Sequence, residues 1–171
     1  SIVKLDAEPK LDGTEKYGAD NIPEDALWVR ILRSPHASAS VTLGDFSSVI
    51  ESRAGLHDIL TYKDIPFNRF GIYPVGKDQP VLSDGIVRYR GDAVIAVVGS
   101  RETVTGISFD DLPVTFTPLE TVTGIPAARS AASRQLHDDK PGNVLIDGHV
   151  SKGDIQKGLE QAAAITSGDF Q

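Results

Sequence analysis

Trp28-Val29-Arg30-Ile31-Leu32-Arg33-Ser34-Pro35-His36-Ala37 reads as a strand followed by its own stop signal. Leu27, Val29 and Ile31 fall on one face and Arg30 on the other, the alternation of a half-buried strand. Pro35 has no backbone N–H and a fixed φ, so the ladder ends there. Downstream, Ala93-Val94-Ile95-Ala96-Val97-Val98 is apolar at every position. Such a run suits a strand covered on both faces, and it is expected at the centre of the core.

Working outward, Phe46, Val49, Ile50 and Arg53 fall at helical offsets, with Asp45 placed to cap the N-terminus and Gly55 to stop the C-terminus. Ile59, Leu60 and Tyr62 follow as a short strand, closed by Lys63-Asp64-Ile65-Pro66. Residues 66–80 alternate Pro and Gly with Phe67, Phe70 and Tyr73, which predicts a long loop of the kind that often carries function. Val114-Thr115-Phe116-Thr117 is a further strand with Val114 and Phe116 on one face. Residues 121–139 are rich in Ala and Ser and bury little, so a surface linker is expected. Asp154 can cap a helix bearing Ile155, Leu159 and Ala162, and a strand is expected over residues 165–170. Short helices among non-adjacent strands, without internal repeats, define an α+β fold with a mixed sheet. The expected organisation is an extended arm over 1–25, the domain proper over 26–150, and a connecting segment over 151–171.

The chain has 171 residues, enough for one ordinary domain. Seventeen basic against twenty-four acidic side chains leave a net charge of −7, which repels nucleic-acid phosphates and anionic lipid. Neither nucleic acid nor a membrane is an expected partner. There is no cysteine, which excludes disulfides, thiolate metal sites and iron–sulfur ligation by this chain and suits a reducing compartment. With no secretion signal at its start, a cytoplasmic location is expected. The absence of methionine and the start at Ser1 suggest a piece of a longer protein or a sequence lacking some residues.

Residue by residue, no nucleophile, general base or metal set stands out. Ser34 and His36 lie two apart across a proline, a poor geometry for proton exchange, so His36 is read as structural. His57, His137 and His149 lack ligand spacing, and a solvent-facing or supporting role is the default for each. Arg90-Gly91-Asp92 spells an adhesion tripeptide but leads into the buried run, and is read as a turn.

Beyond these local readings, Arg33-Ser34-Pro35-His36-Ala37 resembles the most distinctive segment of the a/b hammerhead domain of molybdenum hydroxylase large subunits, the family of xanthine dehydrogenase and aldehyde oxidase. The resemblance is collinear from about Lys16 to Phe170. Tyr17-Gly18-Ala19-Asp20-Asn21-Ile22 resembles the entry turn, and Gly55 to Pro66 the strand leading to the long loop. Val87 to Val98 resembles the central strand, with Gly91 in the family's glycine position. Leu112-Pro113, His137-Asp138-Asp139, Gly142-Asn143-Val144 and Gly153-Asp154-Ile155 follow in order. One departure is that the family has an alanine-rich helix of about three turns after the segment matching Glu102-Thr103. Here only Val104 to Phe109 intervenes, too short for such a helix.

The resemblance implies a parent enzyme that hydroxylates aldehydes or N-heterocycles with water-derived oxygen. It implies molybdopterin-bound molybdenum, iron–sulfur clusters and FAD in that parent, all held by other domains or subunits, with no cofactor, metal ligand or catalytic residue in this segment. The implied partners are the molybdopterin-binding domains of the same large subunit, iron–sulfur and FAD subunits or domains, and a small-molecule substrate. Arg33, Ser34, Pro35, His36 and Gly91 carry the family signature and are expected to be structural. Ile72 and Tyr73 stand where the family borrows residues to line its substrate funnel, and Tyr73 would offer an aromatic face with a polar tip. A free-standing α+β interaction module without activity is the alternative.

Overall fold

The apolar run becomes a strand over Ala93–Gly99, paired on both sides and almost wholly buried. The computed structural model describes residues 4–72 and 76–169. In chain order its elements are α1 (Ala7–Leu11), β1 (Trp28–Arg33), β2 (Ala39–Leu43), α2 (Ser47–Ser52), β3 (Leu56–Leu60), β4 (Ile86–Val87) and β5 (Ala93–Gly99). These are followed by α3 (Arg101–Gly106), β6 (Val114–Pro118), α4 (Ile125–Ala128) and α5 (Ile155–Glu160). The α+β class holds. The strands divide between two three-stranded antiparallel sheets, β1-β5-β3 and β4-β2-β6, rather than sharing one mixed sheet.

One core lies between them. Ile95 and Val97 of β5 share a face with their register partners Leu32 and Ile59, and meet Ala39, Val41 and Val87 of the second sheet. Each fully buried Val or Ile stabilises by about 1.5–3 kcal/mol. Val114 and Phe116 lie on one face of β6, opposite Leu43 and Val41, and pack on this core. β2 is a strand beyond those expected, and in it Ala39, Val41 and Leu43 alternate with Ser40 and Thr42.

The inward face of β1 is the reverse of the one expected. Val29 is 59% and Leu27 50% exposed, while Leu32 is 5% exposed. The reason is α3, which packs on β1 and β5 from the side of Trp28, Arg30 and Leu32. Its N-terminus is capped by the Ser100 hydroxyl, which accepts from the Thr103 N–H at 3.3 Å. Its C-terminal carbonyls are taken by the guanidinium of Arg30, a residue that itself stays exposed. Val104 and the following Ile107 anchor this six-residue helix in the core.

Other boundaries shift by a residue or more. α2 begins one residue later than Asp45 would cap, with Phe46 at the N-cap position, yet Asp45 still accepts from the Ser47 N–H (3.0 Å) and hydroxyl (2.7 Å). Tyr62 belongs to a 3-10 turn after β3. The arm is not fully extended, since it contains α1 and a 3-10 turn over Gly18–Asn21, and nothing between residues 4 and 25 is buried. α5 forms with Asp154 as its cap, its side chain accepting from the Lys157 N–H. Residues 165–169 are exposed coil in place of the expected strand; a strand requires a neighbour's peptide groups, and no described strand lies alongside. Phe170, the last residue of that expected strand, lies outside the described residues.

The segment expected to be a linker, 121–139, has no buried residue and is organised by polar contacts instead of a core. Asn143, at φ +57°, accepts from the Leu136 N–H and donates to the carbonyls of Ala128 and Arg134. Arg134 reaches back to the Ser38 hydroxyl at 2.7 Å. These bonds fold residues 128–146 into a strap against the domain. Among the described residues no helix is long and apolar enough to cross a membrane.

Candidate functional site

The signature residues meet at the place where the chain passes twice between the sheets. The link from β1 to β2 and the link from β4 to β5 run side by side there. The Ser34 N–H donates to the Asp92 carbonyl (2.8 Å), the Gly91 N–H to the Ser34 carbonyl (2.9 Å), and Arg33 Nη1 to the Gly91 carbonyl (2.9 Å). The Ser34 hydroxyl, 2% exposed, sits 3.0 Å from the His36 N–H and 3.1 Å from its carbonyl, so it closes its own turn around Pro35. The His36 imidazole lies on Phe116 instead, 5.1 Å between ring centroids. Gly91 has φ +94°, which gives the tight turn a conformation that L side chains avoid. Asp92, 4% exposed, accepts from the Arg88 N–H at 3.1 Å, and burial pushes its carboxyl above the ordinary value while that N–H and the Arg88 charge oppose the rise.

From this stitch the chain leads to the long loop. Asn68 ties the loop's two arms together, donating to the Leu82 carbonyl and accepting from the Leu82 N–H. Phe70 and Gln79 add a two-way bridge further out. A Cβ on Gly71 would collide with the Gly76 carbonyl, so the arms approach closely here only because Gly71 carries no side chain. Ile72 is therefore presented at the tip, 87% exposed, beside Leu145 and Ile146 of the strap. Tyr73 lies outside the described residues.

Loop and strap face each other across a cavity of about 420 Å³. Phe67 forms one wall, Arg69, Lys77 and Arg88 bring cationic groups to it, and His137 borders it from the strap beside Asp138 and Asp139. Arg88 is held by neutral acceptors, Nε–H donating to the Leu136 carbonyl at 2.7 Å and Nη1 to the Ile86 carbonyl at 3.4 Å. Burial and the Arg88 charge keep the His137 imidazole below its ordinary pKa, against the pull of Asp78 and Asp139. Its Nδ1 is buried without a hydrogen-bond partner among the described residues. This grouping was not legible in sequence, because Arg69, Arg88 and His137 are distant and none has diagnostic spacing. His137 in particular is neither simply solvent-facing nor attached to another functional group.

The residues do not fit a resident metal centre. The sequence has no cysteine for an iron–sulfur cluster, and among the described residues no three His, Asp or Glu side chains gather as a ligand set.

The family model for the aldehyde oxidase and xanthine dehydrogenase a/b hammerhead domain matches residues 12–120. The chain is 32% identical over 166 residues to a probable xanthine dehydrogenase subunit of Bacillus subtilis, covering 96% of this chain and 22% of that protein. It is 30% identical over 171 residues to the nicotinate dehydrogenase large molybdopterin subunit of Eubacterium barkeri, covering 98% of this chain and 39% of that one. Among solved structures, the aldehyde oxidoreductase of Desulfovibrio desulfuricans matches with a TM-score of 0.69 at 26% identity, over 96% of this chain and 19% of the other. That of Desulfovibrio gigas matches with a TM-score of 0.66, also at 26% identity, over 80% and 16%. The chain belongs to the aldehyde oxidase and xanthine dehydrogenase family of molybdenum hydroxylases and carries its a/b hammerhead domain. It spans well under half the length of these relatives.

Proposed function

We propose that this chain is part of the large subunit of a molybdenum-cofactor-dependent hydroxylase acting on an aldehyde or N-heterocycle, and that its own role is structural and interfacial. In this reading residues 26–150 form the hammerhead domain, 1–25 an arm, and 151–171 the start of the connection to a molybdopterin-binding domain. Molybdenum on its pterin, iron–sulfur clusters and FAD are supplied by the other domains or subunits of a cytoplasmic complex. Ile72 and Tyr73 contribute to the substrate funnel, and Arg33, Ser34, Pro35, His36 and Gly91 keep the scaffold in shape.

The observation that carries the reading, beside family membership, is Ile72: a large apolar side chain 87% exposed at the tip of a loop whose base is tied by Asn68. With Phe70, Leu145 and Ile146, also exposed and lining the same hollow, Ile72 makes an apolar patch that suits a surface covered by a partner or a substrate passage. Metal and flavin analysis of the native complex tests the enzyme assignment, with molybdenum stoichiometric to the large subunit expected. A small native species free of molybdenum would remove it. Kinetics of I72A and Y73A complexes test the funnel role separately: altered substrate preference supports it, and unchanged kinetics across several substrates removes it.

A further inference from the structure

The cavity between loop and strap is an unusual place on this molecule. The chain carries a net charge of −7, yet here Arg69, Lys77 and Arg88 converge. Their charges are not equally spent. Arg69 is 3.3 Å from Asp84, which offsets it. Lys77 and Arg88 have no carboxylate within 4.0 Å among the described residues; Lys77 lies over the Phe67 ring at 4.9 Å and Arg88 rests on carbonyls. Of the acidic side chains nearby, Asp138 and Asp139 line the cavity, with Asp139 also 3.7 Å from Lys140, Asp78 acts on His137, and the buried Asp92 carboxyl is the one that feels the Arg88 charge.

Two further features point to a ligand. His137 borders the cavity, and its buried Nδ1 lacks, among the described residues, the hydrogen-bond partner that buried polar atoms nearly always have. The cavity, about 420 Å³, is in the size range of small-molecule sites and far exceeds what a bare inorganic oxyanion fills. We propose that the cleft binds a small organic anion, its oxyanion head between Arg88 and Lys77, its apolar body against Phe67, and a hydrogen bond from His137 completing the site. Guanidinium and ammonium donors give charge-assisted bonds to such a head, about twice as strong as neutral ones. The inference concerns binding alone and stands apart from the parent's reaction.

The test is titration of this 171-residue chain with benzoate, and separately with inorganic phosphate, at matched ionic strength, following the imidazole NMR signals. His36, His57 and His149 serve as internal controls. Benzoate is expected to shift the His137 signals saturably, with phosphate giving a much weaker response. Lys77→Gln, which breaks no ion pair among the described residues, should weaken benzoate binding about tenfold, the loss of about 1.4 kcal/mol from one charged contact. No saturable benzoate response, equal affinity of Lys77→Gln and the parent chain, or phosphate binding as tightly as benzoate would each overturn the proposal.

Discussion

Arg30 of β1 donates a 2.8 Å hydrogen bond to the carbonyl of Ile107, and the same Nη1 is 3.0 Å from the Val104 carbonyl and 2.6 Å from that of Thr105. A helix of six residues does not hold itself together in water. Here a cation from the neighbouring strand sits at its C-terminal end, where the unpaired carbonyls and the dipole both favour positive charge. Arg30→Ala is expected to lower stability by about 1–2 kcal/mol, and Arg30→Lys, with one compact ammonium, to recover part of it. Urea unfolding of the three proteins measures this, and equal midpoints would mean that α3 is held by Val104 and Ile107 alone.

Gly91 and Gly99 separate two reasons for a missing side chain. At Gly91 a Cβ would meet nothing within 4 Å, so alanine is opposed only by φ +94° and should cost about 1–2 kcal/mol. At Gly99 a Cβ would strike the Gly55 carbonyl, which itself accepts from the Ser100 N–H at 2.8 Å. Moving that peptide disturbs the entry to β3, so Gly99→Ala should cost more, about 3 kcal/mol. Thermal unfolding should rank the variants in that order.

Asp92 gives a pH dependence of known sign. Its carboxyl is raised above 3.8 in the folded protein, chiefly by burial, so the folded state holds the proton more tightly than the unfolded chain. Its contribution is complete below pH 3.8 and is lost as pH rises through the raised folded value. Asp92→Asn keeps an acceptor for the Arg88 N–H without a charge. The variant's stability relative to the parent should therefore increase from acid towards neutral pH. Asp64 and Asp111, lowered by hydrogen bonds from Thr61 and Ser108, act in the opposite sense but are common to both proteins and cancel. A pH-independent difference in melting temperature would show that Asp92 is not desolvated.

Asn143 organises the strap with its side-chain amide. Asn143→Ala removes the bonds to Leu136, Ala128 and Arg134 and also opposes φ +57°, whereas Asn143→Gly relieves only the backbone. Amide exchange over residues 128–144 is expected to accelerate about tenfold or more in both variants, with β5 unchanged. Rescue by glycine would mean that backbone conformation, not the amide, sets the order of this segment.

What sequence made legible depended on how local the determining force was. The run at Ala93–Val98 and the cap at Asp154 declare themselves within a few residues, and both stand in the structure. Which face of β1 is covered was misread because the deciding group is α3, some seventy residues away, and because Arg30 finds carbonyls there. Residues 165–169 begin with the strand formers Ile165 and Thr166, but Ser167, Gly168 and Asp169 follow and no described strand lies beside them. The signature residues could be located by resemblance; the bonds joining Ser34 to Gly91 and Asp92 needed coordinates. The cleft at Arg88 and His137 depends on the long-range meeting of loop and strap, and no spacing in the chain announces it.

The stitch between Ser34 and the Gly91-Asp92 turn has a mechanical consequence. Both crossings that it joins leave one sheet for the other, so a sliding displacement of the two layers must stretch both connections at once and break their shared bonds.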